Sequence, residues 1–258
     1  MVTTSLSLAS TAARKLIASL KITEATDLDI ELVAAHCGAY VIYRSLSGAE
    51  GHLLRSGDQA LIVVDKRARQ QASKWRFVIA HELGHFLRHP DLDQMKLCTQ
   101  AHLSGWYRKS GHELEANHFA AELLMPASLV KPMCDRNRPS LYDVDELSRR
   151  FRVSMSAAAI RFVAHCPEPC AVVMSRAGAV EWYAATSDFS YRITRGYRLG
   201  RDTYAGDLFA GRTVEDAPLP LGADGWTSDV SAIGSELFEH SRHLVRYNAV
   251  LTFLWQPG

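Results

Sequence analysis

The feature that most constrains this chain is a pair of histidines, His81 and His85, placed four residues apart inside its most strongly helical segment. Between Asp65 and Pro90, apolar residues recur with the period of an α-helix. They are Trp75, Val78, Ile79, Leu83, Phe86 and Leu87. Side chains four residues apart on a helix project from one face, so both imidazoles can reach the same metal ion. The apolar face of this helix must be buried against a core.

Glu82, which directly follows His81, indicates what such an ion would do. A catalytic zinc ion takes three protein ligands and leaves its fourth position to water. Glu82 can reach that open position rather than the ion, as a general base for the water must. Zinc lowers the pKa of bound water from 15.7 towards about 7, so a carboxylate can complete the deprotonation. The sequence therefore predicts a zinc-dependent hydrolase of amide bonds; Mn²⁺ can bind to similar ligands.

The third ligand must come from elsewhere, and the next long helical pattern, at residues 112–124, offers one. The extended metzincin pattern would need glycine at position 88 and a ligand at position 91, but position 88 is arginine, so Asp91 is not favoured. Glu113 is the predicted third ligand. Asn117, one turn further on, is predicted to orient a histidine through its amide.

Other polar residues near the predicted site are given less specific roles. Glu115 points about 200° away from Glu113 around the helix and is predicted to be a solvated acid. His89 is predicted to be a helix-end residue favoured by the helix dipole. An oxyanion donor is expected from the same region, and Tyr107 is the preferred candidate. The other candidates are His102, His112 and His118.

Charge and cysteine content argue against several classes of protein. The formal net charge is +1 and the isoelectric point is near 7.7, so no overall attraction to nucleic acid is expected. The five cysteines are odd in number and scattered, which favours a reducing, cytoplasmic location. Cys166 and Cys170 are separated by three residues rather than two, which disfavours a redox or zinc-ribbon motif. No apolar run approaches the roughly 20 residues that span a bilayer, so no membrane partner is expected.

The patterns along the whole chain predict an α+β fold in three parts. Residues 1–134 are expected to form a zincin-like peptidase domain, in which a small mixed or antiparallel sheet packs on the helix of His81. Residues 135–166 are expected to be a helix-turn-helix-like segment. Residues 170–258 are expected to form a smaller C-terminal α+β module with a sensory or substrate-recognition role.

Individual elements are also predicted. Short strands separated by turn residues are expected to form a meander before the His81 helix. These strands lie at residues 40–43, 50–54 and 60–64, and the helices before them at 11–20 and 27–38. In the C-terminal module, strands are expected at 172–174, 180–184, 192–197 and 250–255, and a long loop at 212–230.

Two separate segments carry a resemblance to a known family. The run FVIAHELGHF at residues 77–86 and the run ELEANHFAAELLMP at residues 113–126 resemble the ImmA/IrrE family of bacterial and phage metallopeptidases. The resemblance is most specific over residues 60–126 and thin beyond residue 170. It implies that the two histidines of the first run and the first glutamate of the second bind zinc, in agreement with the choice of His81, His85 and Glu113.

The resemblance also implies a substrate. Members of that family cleave a DNA-binding repressor at a specific site, commonly a helix-turn-helix protein, to switch on stress, mobile-element or defence genes. An extended substrate segment is predicted to pair with the sheet edge at residues 51–55, because main-chain pairing of this kind suits a peptidase.

Two other functions stay open at this point. Residues 147–162 have the spacing of a helix-turn-helix, with Arg149, Arg150 and Arg152 close to the turn, so the chain could bind DNA. A structural or substrate-docking role for this segment is favoured instead. Alternatively, the zinc site is mainly structural and the C-terminal module senses a ligand. Glu82 argues against this alternative, since a structural site needs no base.

Overall fold

The computed structural model describes residues 2–90, 96–98 and 111–257, and it divides into two compact units. The first unit comprises Met1–Leu129 and Arg149–Ser154, and the second comprises Val130–Ser148 and Met155–Gly258. Helices and two separate sheets together confirm the predicted α+β class. The three-part division at 1–134, 135–166 and 170–258 stays a prediction. Within the described residues, no helix is both long and apolar enough to cross a bilayer.

The first unit contains four α-helices and four strands among the described residues. In chain order they are α1 (Val2–Ser19), α2 (Ile30–His36), β1 (Ala39–Arg44), β2 (Gly51–Ser56), β3 (Gln59–Asp65), α3 (Ala72–Arg88), β4 (Lys96–Cys98) and α4 (His112–Leu124). Asp29 caps α2 by accepting hydrogen bonds from the backbone N–H groups of Glu31 and Leu32. Gly38, with φ of +81°, then turns the chain into β1.

Helix α1 is longer than its sequence predicts. It begins at Val2 rather than near residue 11, so residues 2–10 are helical as well. Ala9, Ala13 and Ile17 form a buried stripe, and α1 packs on α4. The buried stripe explains the longer helix, because most helical stability in proteins comes from packing of an apolar face.

The strands of the first unit do not form the predicted meander. Their order is β1-β3-β2-β4, with β1 parallel to β3, and with β2 antiparallel to both β3 and β4. The hairpin of β2 and β3 is present, but β3 lies between β1 and β2. Strand β3 is the most continuously apolar of the three, and Ile62 and Val64 are fully buried. A strand of this kind favours an internal position in the sheet, where both of its faces can be covered.

The second unit is built on one antiparallel sheet of five strands in the order β6-β5-β9-β8-β7. These strands are β5 (Cys170–Arg176), β6 (Ala179–Ala185), β7 (Leu219–Gly222), β8 (Glu236–Leu244) and β9 (Ala249–Trp255). The helices that follow α4 along the chain are α5 (Ala127–Cys134), α6 (Leu141–Phe151), α7 (Met155–Val163) and α8 (Tyr204–Phe209). Phe162 of α7 packs edge-on against Phe253 of β9, with ring centroids 5.7 Å apart.

Two expectations for the C-terminal module are wrong, and one strand is missing from the prediction. Residues 192–197 form no strand, and only an isolated bridge joins nearby Arg198 to Ala179. The expected loop at 212–230 contains β7. Strand β8, the longest of this sheet, was not predicted at all. Its central residues Glu239, His240 and Ser241 are polar although buried, so the strand lacks the apolar alternation that identifies a strand from sequence.

Glu239 is the buried centre of a polar network in this unit. Its carboxylate accepts hydrogen bonds from Trp226 Nε1 at 2.7 Å and from the hydroxyl of Ser241 at 2.6 Å. It also accepts from the backbone N–H groups of Ala205 at 2.6 Å and Tyr204 at 3.2 Å, at the start of α8. A fully buried carboxylate costs free energy unless donors surround it. These four donors hold α8 and the Trp226 side chain to β8.

The variant Glu239→Gln is expected to lower the free energy of unfolding by about 1–3 kcal/mol. The amide turns its own N–H group towards groups that are themselves donors, and leaves at least one of them without an acceptor. Glu236→Gln, at an exposed position of the same strand, is the matched control and should be nearly neutral. Urea denaturation of the two variants measures the difference; equal midpoints would contradict this account of the network.

Candidate metal centre

Gly84 allows the two helices of the candidate site to approach closely. A Cβ atom placed on Gly84 would lie 3.1 Å from Phe119 Cδ1 and 3.2 Å from Ala116 Cα. Both of these residues belong to α4, so the backbone of α3 rests almost directly on the backbone of α4. This contact brings the first turn of α4, which carries Glu113, next to the histidine face of α3.

Three ligand-type side chains converge where α3 and α4 meet. The Nε2 atoms of His81 and His85 are 3.1 Å apart. The Glu113 carboxylate lies 3.5 Å from His81 Nε2 and 3.3 Å from His85 Nε2. One ligand atom from each residue lies within 4.8 Å of the other two. The structure thus brings together the three residues that the sequence nominated, at distances that a shared ion would require.

The surroundings of His81 fit a metal ligand. Asn117 Oδ1 lies 2.9 Å from His81 Nδ1, and an amide oxygen can only accept a hydrogen bond. His81 therefore carries its proton on Nδ1 and presents the Nε2 lone pair to Glu113 and His85. Lone pairs and a carboxylate that converge in a buried site repel one another unless a cation lies between them. Two imidazoles and one carboxylate form a donor set that zinc accepts.

Glu113 supplies negative charge to this set. Burial of the carboxyl group opposes its ionisation; in the metal-free site, His81 and His85 that also carry a proton on Nε2 outweigh burial through hydrogen bonds and charge interactions with Glu113. The pKa of Glu113 therefore lies well below its usual range. The carboxylate is ionised at neutral pH, as a ligand for a divalent ion must be.

Gly84→Val is expected to lower the free energy of unfolding by about 1–3 kcal/mol, because the branched side chain forces α3 and α4 apart. The same displacement moves Glu113 away from the histidines, so binding of divalent metal should weaken. Gly84→Ala is the graded control, since the gain in helix propensity, about 1 kcal/mol, offsets the smaller clash. Chemical denaturation and metal titration would measure both effects; a valine variant equal to the alanine variant in both would contradict the role given to Gly84.

Glu82 lies beside the ligands on α3 and is almost fully buried, at 2% exposure. Strand β2 passes close to it at Gly51. A Cβ atom on Gly51 would lie 2.5 Å from Val78 Cγ1 and 3.3 Å from Glu82 Oε1. A glycine at this position is therefore required for β2 to pass the helix at the level of Glu82.

The predicted substrate edge of the sheet is partly occupied. Strand β4 pairs with β2 through Gly51↔Cys98, His52↔Leu97 and Leu53↔Lys96. The prediction that residues 51–55 offer an open edge is therefore wrong for residues 51–53. Strand β4 is only three residues long, so a local sequence pattern does not predict its pairing.

His89 and Glu115 have surroundings that differ from their predicted roles. His89 is buried, and its Nδ1 lies 3.1 Å from His85 Nδ1. Its Nε2 lies 3.3 Å from Glu115 Oε2. Desolvation lowers the pKa of His89 to about 4, against the opposing hydrogen bond to Glu115. His89 is the C-terminal cap of α3, as its predicted helix-end role requires, but its burial favours the neutral form rather than a charge that the helix dipole would stabilise.

Glu115 is not the solvated acid that its helical position indicated. Its side chain is only 14% exposed and lies 3.4 Å from an Arg88 nitrogen. It also accepts a hydrogen bond from the Ser5 hydroxyl of α1. The side of α4 away from Glu113 faces α1 rather than water, which explains the error. The spacing His81, His85, His89, with successive steps of four residues, was the sequence signal that could have placed His89 at the site.

The remaining candidates for an oxyanion donor are only partly described. Tyr107 and His102 lie outside the described residues, so both stay predictions. The ring of His112 lies 4.4 Å from that of His89, centroid to centroid. His118 is half-buried on α4. None of these positions assigns an oxyanion donor.

The chain is similar to known proteins in sequence and in fold. The family model described as the IrrE N-terminal-like domain matches residues 34–163. The radiation response metalloprotease IrrE of Deinococcus radiodurans is 29% identical over 128 residues, which are 50% of this chain and 38% of that protein. The chain thus spans less than half the length of this curated relative. A solved structure of a Mycobacterium tuberculosis transcriptional regulator aligns with a TM-score of 0.58 at 16% identity, covering 96% of this chain and 75% of that one. This last similarity concerns the fold alone.

Proposed function

Because the chain belongs to the peptidase family defined by the IrrE N-terminal-like domain, we propose that it is a zinc-dependent endopeptidase. The observation that carries the proposal is the convergence of His81, His85 and Glu113 beside the buried carboxyl group of Glu82. A family of metal-dependent peptidases implies a divalent ion, and two imidazoles with one carboxylate favour zinc. Mn²⁺ is the alternative ion that such ligands accept.

In this mechanism His81, His85 and Glu113 hold the ion, and Glu82 moves the proton. A zinc ion held there would supply Lewis-acid activation of water and of the peptide carbonyl group. Glu82 accepts the proton of the attacking water and later gives it to the nitrogen of the leaving amine. Asn117 keeps His81 in the tautomer whose Nε2 can bind metal. The low exposure of Glu82 limits competing contact with bulk water.

We propose that the substrate is a DNA-binding transcriptional repressor of the helix-turn-helix class, in a stress, mobile-element or defence circuit. The resemblance of residues 77–86 and 113–126 to the ImmA/IrrE family supports this substrate class. The name of the Deinococcus radiodurans relative, a radiation response metalloprotease, is in keeping with a stress circuit. The scattered, unpaired cysteines among the described residues support a reducing, cytoplasmic setting.

The test is co-expression of the chain with the repressor-like protein encoded beside it, followed by mass spectrometry of the repressor. The expected result is one defined fragment pair, which disappears when Glu82→Gln replaces the wild-type chain. Cleavage by both variants would contradict the role of Glu82. An intact repressor with a catalytically active, zinc-loaded chain would contradict the proposed substrate.

A second candidate function, DNA binding, is favoured by the arrangement around α6 and α7. Three residues, 152–154, separate the two helices, and Arg152 there has φ of +55°. Arg149, Arg150 and Arg152 are all exposed. A filter-binding assay across salt concentrations, with the three arginines replaced by glutamine as control, would test this function. If these arginines contact DNA, the affinity for DNA should fall as the salt concentration rises, and the affinity of the glutamine control should depend less on salt.

A further inference from the structure

We propose that His89 and Glu115 are positioning residues that fix the orientation and proton position of His85 for metal binding. The proposal rests on the proposed function, because it assigns His85 Nε2 to the ion. The relay defined by these residues runs from Glu115 through His89 to His85. Asn117 has the corresponding role for His81, through a single hydrogen bond.

The order of hydrogen bonds in the relay follows from the acceptor at its end. The Glu115 carboxylate can only accept, so His89 Nε2, at 3.3 Å, donates to it. His89 Nδ1 and His85 Nδ1 are 3.1 Å apart, so only one of the two can carry the proton of their hydrogen bond. When His85 presents its Nε2 lone pair, that proton lies on His85 Nδ1 and is donated to His89 Nδ1. Each group in the relay then has a defined role as donor or acceptor.

The far end of the relay is held in place by other elements of the same unit. Glu115 accepts from the Ser5 hydroxyl of α1 and lies 3.4 Å from an Arg88 nitrogen of α3. Helix α4 consequently contributes three residues to the site. It carries the ligand Glu113, the partner Asn117 of His81, and Glu115 at the end of the link to His85. Partners of this kind set ring orientation and increase the basicity of the ligating nitrogen.

Substitutions at His89 separate this role from simple packing. In the variant His89→Asn, the shorter side chain does not fill the whole ring site, but its Oδ1 can stand near the former Nδ1 and accept from His85. This variant therefore keeps the acceptor and loses the link to Glu115. His89→Leu occupies more of the space and offers no acceptor. A packing role predicts that leucine is tolerated better than asparagine, whereas the relay predicts the reverse.

The experiment measures the zinc dissociation constant of the full chain by competition with a chromophoric chelator. His89→Leu is expected to weaken zinc binding by about 10–100-fold, the range for loss of an outer partner of a metal ligand. His89→Asn should retain most of the affinity, within about 3-fold of wild type. Glu115→Leu should weaken binding and Glu115→Gln, which keeps an acceptor for His89, should do so less. His36→Leu, at an exposed histidine of α2, is the control and should match wild type.

Thermal unfolding of the metal-free variants shows whether each one is folded. If His89→Leu does not fold, the comparison of Glu115→Leu with Glu115→Gln tests the relay instead. Wild-type affinity in folded His89→Leu and Glu115→Leu would overturn the relay, as would weaker zinc binding by His89→Asn than by His89→Leu. His81→Ala distinguishes this failure from failure of the proposed function. If His81→Ala abolishes zinc binding and His89→Leu leaves it unchanged, only the relay is wrong. If wild type and His81→Ala bind zinc equally, the assignment of the metal ligands is wrong, and the relay is wrong as well.

Discussion

Glu82→Gln is expected to reduce kcat/KM for peptide hydrolysis by about 10²–10⁴-fold, the contribution typical of a general acid–base residue. Glutamine preserves the size and burial of the side chain but cannot accept the proton of the attacking water. Since Glu82 is not among the three converging ligands, the variant should bind zinc with the wild-type stoichiometry. Steady-state cleavage of the identified substrate, together with metal analysis of the same sample, measures both properties.

Glu215→Gln provides the matched control, because it makes the same chemical change at an exposed position in the second unit. Its activity and zinc content should equal those of wild type. Full activity of Glu82→Gln with zinc bound would contradict the assignment of Glu82 as the general base. Loss of zinc along with activity would instead indicate that Glu82 takes part in holding the ion.

Glu113→Ala is expected to weaken zinc binding by more than about 100-fold. Loss of a residue that only orients a ligand weakens metal binding by about 10–100-fold, and loss of a direct ligand should cost more. Two imidazoles remain, and the negative charge that balances the ion disappears with the carboxylate. Peptidase activity should fall in parallel at limiting zinc. Chelator competition measures the affinity, and activity as a function of free zinc tests whether both losses have one cause.

Glu215→Ala serves as the control for this removal of a carboxylate. A Glu113→Ala variant with unchanged zinc affinity would mean that another acid completes the coordination. Glu115 is the nearest alternative on α4, but its carboxylate contacts Ser5, Arg88 and His89. If Glu115 takes that place, Glu115→Ala should weaken zinc binding far more in the Glu113→Ala background than in wild type.

The helices that carry the site could be predicted because their signals are local. The apolar period between Asp65 and Pro90 predicts α3, and the helical pattern at residues 112–124 predicts α4. Spacing within each helix then nominated His81, His85 and Glu113. Their convergence depends on the close contact at Gly84, for which the sequence offers a glycine but no partner.

What could not be predicted depends on contacts between distant parts of the chain. The parallel pairing of β1 with β3 requires β3 to enter between two earlier strands, and no local pattern specifies this. Strand β8 was missed because its buried carboxylate, Glu239, is satisfied by donors from α8 and Trp226. The surroundings of Glu115 were misread because a helical wheel cannot indicate that α1 covers that side of α4.

Zinc-edge anomalous diffraction from crystals of the zinc-loaded chain tests the central claim most directly. The account predicts one strong peak, about 2.0–2.2 Å from His81 Nε2, His85 Nε2 and a Glu113 carboxylate oxygen. Glu82 should lie outside the ligand sphere, facing the remaining coordination position. A peak elsewhere, or a Glu113 side chain turned away from an ion held by other groups, would contradict the account.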